Sequence, residues 1–204
     1  MASMYWVRHG QTALNVGAER IRGWADVPLD AKGVEQAHIL AEKLPRVAAI
    51  YTSNLVRATY TAATIAAKQS LPEHSIHEMV ELRPWNVGRY TGKPVEEVRA
   101  KLAKAVQDPT IVVPEGESFT DFVLRLNNAL KLVTHVALAA KAPIVVVTHT
   151  RDIRVMLEWV ENGICGVLSQ NPSVYLSAEK DPVDPGHFVK LDWKGYWKAE
   201  DKDA

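Results

Sequence analysis

One run of five residues constrains this chain more than any other: Ile144-Val145-Val146-Val147-Thr148, set off by Pro143 and followed at once by His149. β-Branched residues without alternation predict a strand buried on both faces, which is the situation of a central strand in a parallel sheet covered by helices. The rest of the sequence agrees, because strand-like runs alternate with stretches of helical period. Met4 to Val7 reads as the first strand and Val47 to Thr52 as the second. Helices are predicted over Lys32–Leu44, stopped by Pro45, over Leu55–Lys68, Val95–Gln107 and Phe119–Lys141, and over Asp152–Asn162, ending at Gly163. Ser70 to Lys93, broken by Pro72, Pro84, Gly88 and Gly92, reads as a looser region. Ser173–Leu176 and His187–Leu191 read as a late hairpin, and the charged end from about residue 196 as a frayed tail. The expected fold class is therefore α/β, a three-layer α/β/α sandwich on a mostly parallel, doubly wound sheet, with residues 1–204 forming one domain.

In such folds ligands bind beyond the carboxyl ends of the strands. Three of those ends carry the residues of interest. Arg8-His9 follows the first strand, Ser53-Asn54-Leu55-Val56-Arg57 the second, and His149 the β-branched run. Two arginines and two histidines beside a helix N-terminus make a phosphate site by composition. Guanidinium forks match phosphate oxygens, the helix end favours an anion, and a neutral imidazole is a competent phosphorus nucleophile. A histidine after a strand is commonly a structural residue, and a metal site is a further alternative. The second is disfavoured, because there is no HExxH or CxxC and nearby arginines would repel a cation.

Composition narrows the partners. With 24 basic and 24 acidic residues the formal charge is zero, so a general polyanion binder is not expected, nor a nucleic-acid or membrane partner. A single cysteine, Cys165, excludes an intrachain disulfide framework. The start MASMYWVRHG has neither a basic nor a long apolar region, so a soluble, cytoplasmic chain without a signal peptide is expected. Oligomeric state is not readable.

At this point the motifs resemble a known family. Val7-Arg8-His9-Gly10-Gln11-Thr12 with Asn15 is similar to the opening motif of the histidine phosphatase superfamily, which includes the cofactor-dependent phosphoglycerate mutases. The likeness continues in Arg20 to Leu29, Gly33 to Ala37, Ser53 to Arg57 with Ala58, Thr61 and Ala62, Gly116-Glu117-Ser118-Phe119 with Arg125, and Val145 to His149 with Ile153-Arg154. The resemblance implies a phosphoglycerate mutase-like fold, His9 as the residue that becomes phosphohistidine, and Arg8, Arg57 and His149 as holders of the phosphoryl oxygens. It implies a further contact from Asn15, a small phosphorylated substrate, and neither metal nor organic cofactor. The expected activity is a metal-independent phosphatase. A phosphoglycerate mutase-type phosphotransferase and a catalytically impaired phospholigand-binding protein are the alternatives.

The chain also departs from the pattern. The superfamily's general acid is a Glu in a Leu-Arg-Glu segment, whereas Leu82-Arg83-Pro84-Trp85-Asn86-Val87-Gly88 has Pro84 in its place. An alkoxide leaving group needs a proton, worth about 10²–10⁴-fold in rate. Glu117, Asp152 and Glu81 are the substitutes in view, with a loop-orienting acceptor and a helix first-turn acid as the alternative roles of the first two. Thr150-Arg151 stands where relatives carry small or polar residues, leaving Arg151 either in the pocket or in solvent. Arg22 precedes Gly23-Trp24 where relatives often have an uncharged residue. Facing the pocket, it would favour a substrate with a second anionic group; otherwise it is a loop arginine. Trp85 and Tyr90 are either entrance or packing residues.

Overall fold

A computed structural model describes residues 2–16, 20–140, 142–169 and 183–193. Among these residues five strands form one sheet: β1 (Ala2–Arg8), β2 (Ala49–Ser53), β3 (Ile76–Met79), β4 (Ile144–Thr148) and β5 (Phe188–Trp193), in the order β3-β2-β4-β1-β5. The pairings among β1 to β4 are all parallel and only β5 runs antiparallel, along the edge of β1. The helices are α1 (Ala31–Lys43), α2 (Val56–Lys68), α3 (Val95–Gln107), α4 (Phe119–Ala139) and α5 (Thr150–Ser169).

The predicted doubly buried strand is β4, with all five residues buried. Successive side chains on a strand point to opposite faces, so β4 feeds two cores. Ile144 and Val146 join Met4 and Trp6 of β1 in the larger cluster, with Phe122, Leu126 and Val133 of α4 and Ile153 and Met156 of α5. Val145 and Val147 join Tyr5 and Val7 in the smaller one, with Leu40 and Ala41 of α1 and Ala58, Ala62 and Ile65 of α2. This gives the three layers expected. Among the described residues no helix is long and apolar enough to cross a membrane.

Two expectations need correction. The region Ser70–Lys93 contains a strand, β3, whose Ile76-His77-Glu78-Met79 lacks an apolar run because two of its four residues are exposed at the sheet edge. Helix α5 does not stop at Gly163; a glycine costs a helix interior only about 1 kcal/mol and does not end it without a terminating turn. Of the expected late hairpin, the second arm is seen as β5, Phe188–Trp193, paired with β1. Ser173–Leu176 and the tail from 196 lie outside the described residues.

Close backbone packing fixes the loop after β1. Gly10 and Gly33 meet so tightly that a Cβ on Gly10 would overlap the Gly33 carbonyl, and one on Gly33 would overlap the Gln11 carbonyl. This contact seats the loop carrying His9 against the start of α1, where Asp30 caps the helix by accepting from Gly33 N at 2.8 Å. Gly33→Ala is expected to cost about 1–3 kcal/mol, the usual range for forced overpacking. In a chain of this size that is a fall in Tm of several degrees, readable by thermal unfolding.

Candidate active site

The register of the sheet assembles the site. Arg8 pairs with Thr148 and Thr52 with Val147, so Ser53, His149 and His9 follow one another across the ends of three adjacent parallel strands. His9 N donates to Thr148 O at 3.2 Å, and the two imidazole rings lie edge to face with centroids 5.0 Å apart. His9, His149, Arg8 and Arg57 are all buried. The four residues that the sequence placed at strand ends are thus brought together.

His9 Nδ1 lies 2.7 Å from Gly10 O. A carbonyl only accepts, so Nδ1 carries the proton and Nε2 keeps the lone pair. Burial, then the charges of Arg57 and Arg22, hold His9 well below the ordinary histidine range, which keeps it neutral at physiological pH. His149 is depressed in the same way by burial and by Arg57, and its Nε2 is hydrogen-bonded to Ser53 Oγ at 3.0 Å.

Arg57, in the first turn of α2, is oriented by two backbone carbonyls: Nη1 donates to Ala25 O at 2.7 Å and Nη2 to Gly23 O at 3.1 Å. Its buried Nε has no protein partner among the described residues. Burial and the repulsion of Arg22 lower its pKa to about 10, which leaves it cationic at neutral pH. Arg8 is steadied from the far end of the chain, with Nη1 donating to Val183 O at 2.9 Å. The α2 N-terminus is partly occupied, since Val56 N donates to Asp26 Oδ1 at 2.7 Å.

The other expected residues divide. Asn15 is half-buried and its Oδ1 accepts from Thr12 N at 2.9 Å and Thr12 Oγ1 at 3.0 Å, so its oxygen closes a local turn. Arg22 is half-buried, and its charge is felt by His9, His149 and Arg57. Arg151 is half-buried and lies over the Trp85 ring at 5.8 Å. Trp85 is a buried packing residue against Phe119, and half-buried Tyr90 packs on the same core, under Lys101.

The three acids differ sharply. Glu117 accepts from Asn86 N and Arg125 Nη2 through Oε1, at 2.8 and 2.7 Å, and from Arg125 Nε through Oε2, at 3.2 Å. It is an acceptor for three N–H groups, the loop-orienting role. Arg125 in turn gathers the carbonyls of Val80, Glu81, Arg83 and Pro84, so the turn that carries Pro84 is held by this ion pair. Glu81 is half-buried in that turn, and its carbonyl is among those held. Asp152 is fully buried; apart from a glancing contact with its own N–H, its carboxyl oxygens meet no donor among the described residues. Burial raises its pKa well above the usual carboxylate range, outweighing the attraction of Arg125 and Arg57.

Several residues that shape this site carry little signal in the sequence. Ser53 stands there only as the start of an arginine motif. Trp24 is a motif letter, yet its Nε1 donates to Pro84 O at 2.7 Å and its ring is covered by Arg83 at 4.6 Å. The carbonyls that orient Arg57 have no signature in side-chain sequence at all. No group of three or more metal-ligating side chains occurs among the described residues.

A family model described as the histidine phosphatase superfamily (branch 1) matches residues 4–165. The chain belongs to that superfamily. A probable phosphoglycerate mutase GpmB of Yersinia pestis is 33% identical over 139 residues, which are 64% of this chain. The match spans only 62% of that relative's length. The crystal structure of a phosphoglycerate mutase from Thermus thermophilus superimposes with a TM-score of 0.67 at 28% identity, covering 94% of each chain. A putative alpha-ribazole-5'-P phosphatase from Escherichia coli gives a TM-score of 0.70 at 21% identity, covering 94% of this chain and 91% of its own, a likeness of fold. The phosphoglycerate mutase-like fold expected from the motifs is the fold observed.

Proposed function

We propose that the protein is a metal-independent phosphatase that hydrolyses a small phosphorylated molecule through a phosphohistidine at His9. The observation that carries this reading is the fixed tautomer of His9, whose Nε2 lone pair stays unprotonated amid arginines that can hold the phosphoryl oxygens. Nε2 attacks phosphorus, the P–O bond to the leaving group breaks, and the departing oxygen takes up a proton. Water then cleaves the P–N bond, releasing inorganic phosphate and returning the imidazole. Arg8, Arg57 and His149 stabilise the charge on the equatorial oxygens in both steps, with Asn15 a further contact. Chelators are expected to leave the activity unchanged.

Asp152 is the proposed proton source. It follows His149 by three residues, its burial favours the protonated form, and only a protonated carboxyl can donate. Asp152→Asn is expected to lower kcat for an alkyl phosphate about 10²-fold or more while changing p-nitrophenyl phosphate hydrolysis less than about fivefold, since a nitrophenolate leaves without help. Equal losses on both substrates would remove Asp152 from the role.

The same substitution carries a stability prediction of opposite sense. A carboxyl whose folded pKa is raised stabilises the fold at low pH and loses that contribution as pH rises from about 3.8 through the folded value. Asp152→Asn is therefore expected to raise Tm at about pH 7–8, with the gain vanishing near pH 4. Thermal unfolding across pH reads it.

Pro84 and the mutase-named relatives support two other readings, and one set of assays separates them. Release of inorganic phosphate from phosphoesters favours the phosphatase. Isomer exchange of 3-phosphoglycerate with a bisphosphoglycerate primer favours a phosphotransferase. Tight phosphate binding without turnover, even of aryl phosphates, favours a binding protein.

A further inference from the structure

Arg57 takes its direction from a turn. The carbonyls that hold its guanidinium, Gly23 O and Ala25 O, belong to the residues on either side of Trp24. Within the turn Ala25 N donates to Arg22 O at 2.9 Å, a bond that sets its shape but not its place in the protein. The turn is tied at both flanks, by Ile21 N donating to Lys93 O at 2.9 Å and Val56 N to Asp26 Oδ1 at 2.7 Å. At its centre, Nε1 of half-buried Trp24 donates to the carbonyl of buried Pro84 at 2.7 Å. Arg83 and Arg125 lie over the indole ring at 4.6 and 5.7 Å. A Cβ on Gly23 would lie 2.7 Å from Val87 Cγ2, so the backbone of the turn meets the same segment as the indole. Pro84 is a stiff anchor. Its ring fixes φ, and its carbonyl, with two lone pairs, takes a second donor in Arg125 Nη2 at 3.3 Å. That guanidinium is paired in turn with Glu117 at 2.7 Å. The contacts therefore run from Glu117 through Arg125 and Pro84 to Trp24, and from the carbonyls beside Trp24 to Arg57.

We propose that Trp24 is a positioning residue of the phosphoryl site, holding through Pro84 O the two carbonyls that aim Arg57. This rests on the role given to Arg57 in the proposed function, and it gives Pro84 a part in that role as the acceptor of the indole N–H. A donor to developing charge works only where it is aimed, and a displacement of about 1 Å can cost 10²-fold in rate.

The test is a double-mutant cycle on the whole protein. Trp24→Phe keeps an aromatic ring beneath Arg83 and removes the indole N–H. In the otherwise unaltered protein it is expected to lower kcat/KM for p-nitrophenyl phosphate about tenfold. In the Arg57→Ala background the expected loss is less than about twofold, because no guanidinium is left to aim. A merely loosened fold would lower both by the same factor. A loss at least about threefold larger with Arg57 present than without it upholds the proposal. Any smaller difference overturns it while leaving the phosphohistidine chemistry in place. Should thermal unfolding show that Trp24→Phe does not fold, Arg125→Lys takes its place in the cycle. It removes the second donor to Pro84 O, keeps the charge, and is judged by the same threefold difference. Where turnover of a variant is too slow to measure, the cycle is read in the dissociation constant of orthovanadate by calorimetry. The same reading serves if the unaltered protein turns over no phosphoester. A threefold difference then upholds the positioning role and overturns the proposed chemistry, and a smaller one overturns both. If vanadate does not bind either, both fall.

Discussion

His9→Ala is expected to lower the turnover of p-nitrophenyl phosphate by about 10³-fold or more, the scale on which loss of a covalent nucleophile is felt. The aryl ester is the right substrate, because its leaving group makes no demand on the position where Pro84 stands. Phosphate should still raise the variant's Tm, since the arginines remain, and that separates a lost nucleophile from a lost fold. Turnover within about tenfold of the unaltered protein would overturn the phosphohistidine mechanism. The environment of His9 adds a pH signature. An ordinary histidine nucleophile loses half its reactive form by about pH 6.5. With the pKa held well below that by burial and by Arg57, kcat is expected to stay level from about pH 8 down past 6.5. The same depression has a cost in stability. Below about pH 6.5 the unfolded chain binds protons that native His9 and His149 refuse, so the fold loses stability as pH falls, opposite to the sense at Asp152.

Arg57 is expected to show the other large effect. Arg57→Ala should lower kcat/KM for p-nitrophenyl phosphate about 10²–10³-fold, the range for removing one preorganised donor from developing oxyanion charge. Arg57→Lys should recover little of it. The guanidinium is held by Ala25 O on one Nη and Gly23 O on the other, which aims its remaining N–H groups, whereas an ammonium offers a point charge on a flexible stem. The alanine variant also leaves the buried Gly23 carbonyl and the half-buried Ala25 carbonyl without this donor, so its Tm should drop by several degrees, consistent with roughly 1–3 kcal/mol for a buried group left unpaired. Steady-state kinetics beside thermal unfolding tests both halves. A lysine variant within about fivefold of the original would mean that charge alone is required and that the carbonyl clamp is incidental.

The legible part of this protein is the part that depends on local pattern. A β-branched run at 144–148 must be covered on both sides, and helices of suitable period lie before and after it. Those facts are enough for the layered sheet, for α3 with its observed bounds, and for the strand ends that carry Arg8, His9, Arg57 and His149. Strand β3 is hidden because an edge strand with two exposed residues has no apolar signature. The continuation of α5 past Gly163 is hidden because propensity weighs a glycine without knowing whether a terminating turn follows.

The acids show the division most clearly. In the sequence Glu117, Asp152 and Glu81 are three carboxyls near the right motifs. Packing gives Glu117 to Arg125 and the 80–84 turn, and seals Asp152 in the first turn of α5 with no donor from another residue for its oxygens. Both outcomes depend on how far water and opposite charge can approach, which is a property of space and not of order along the chain. By itself the sequence determined which residues stand at the sheet's carboxyl edge, because strand and helix periodicity act over a few neighbouring positions. Only the tertiary structure decided which histidine nitrogen is free, what aims Arg57, and which carboxyl is held toward its protonated form. Each of those depends on surroundings such as Gly10 O, Gly23 O and Ala25 O, and backbone carbonyls are the same at every position until the fold brings one of them close.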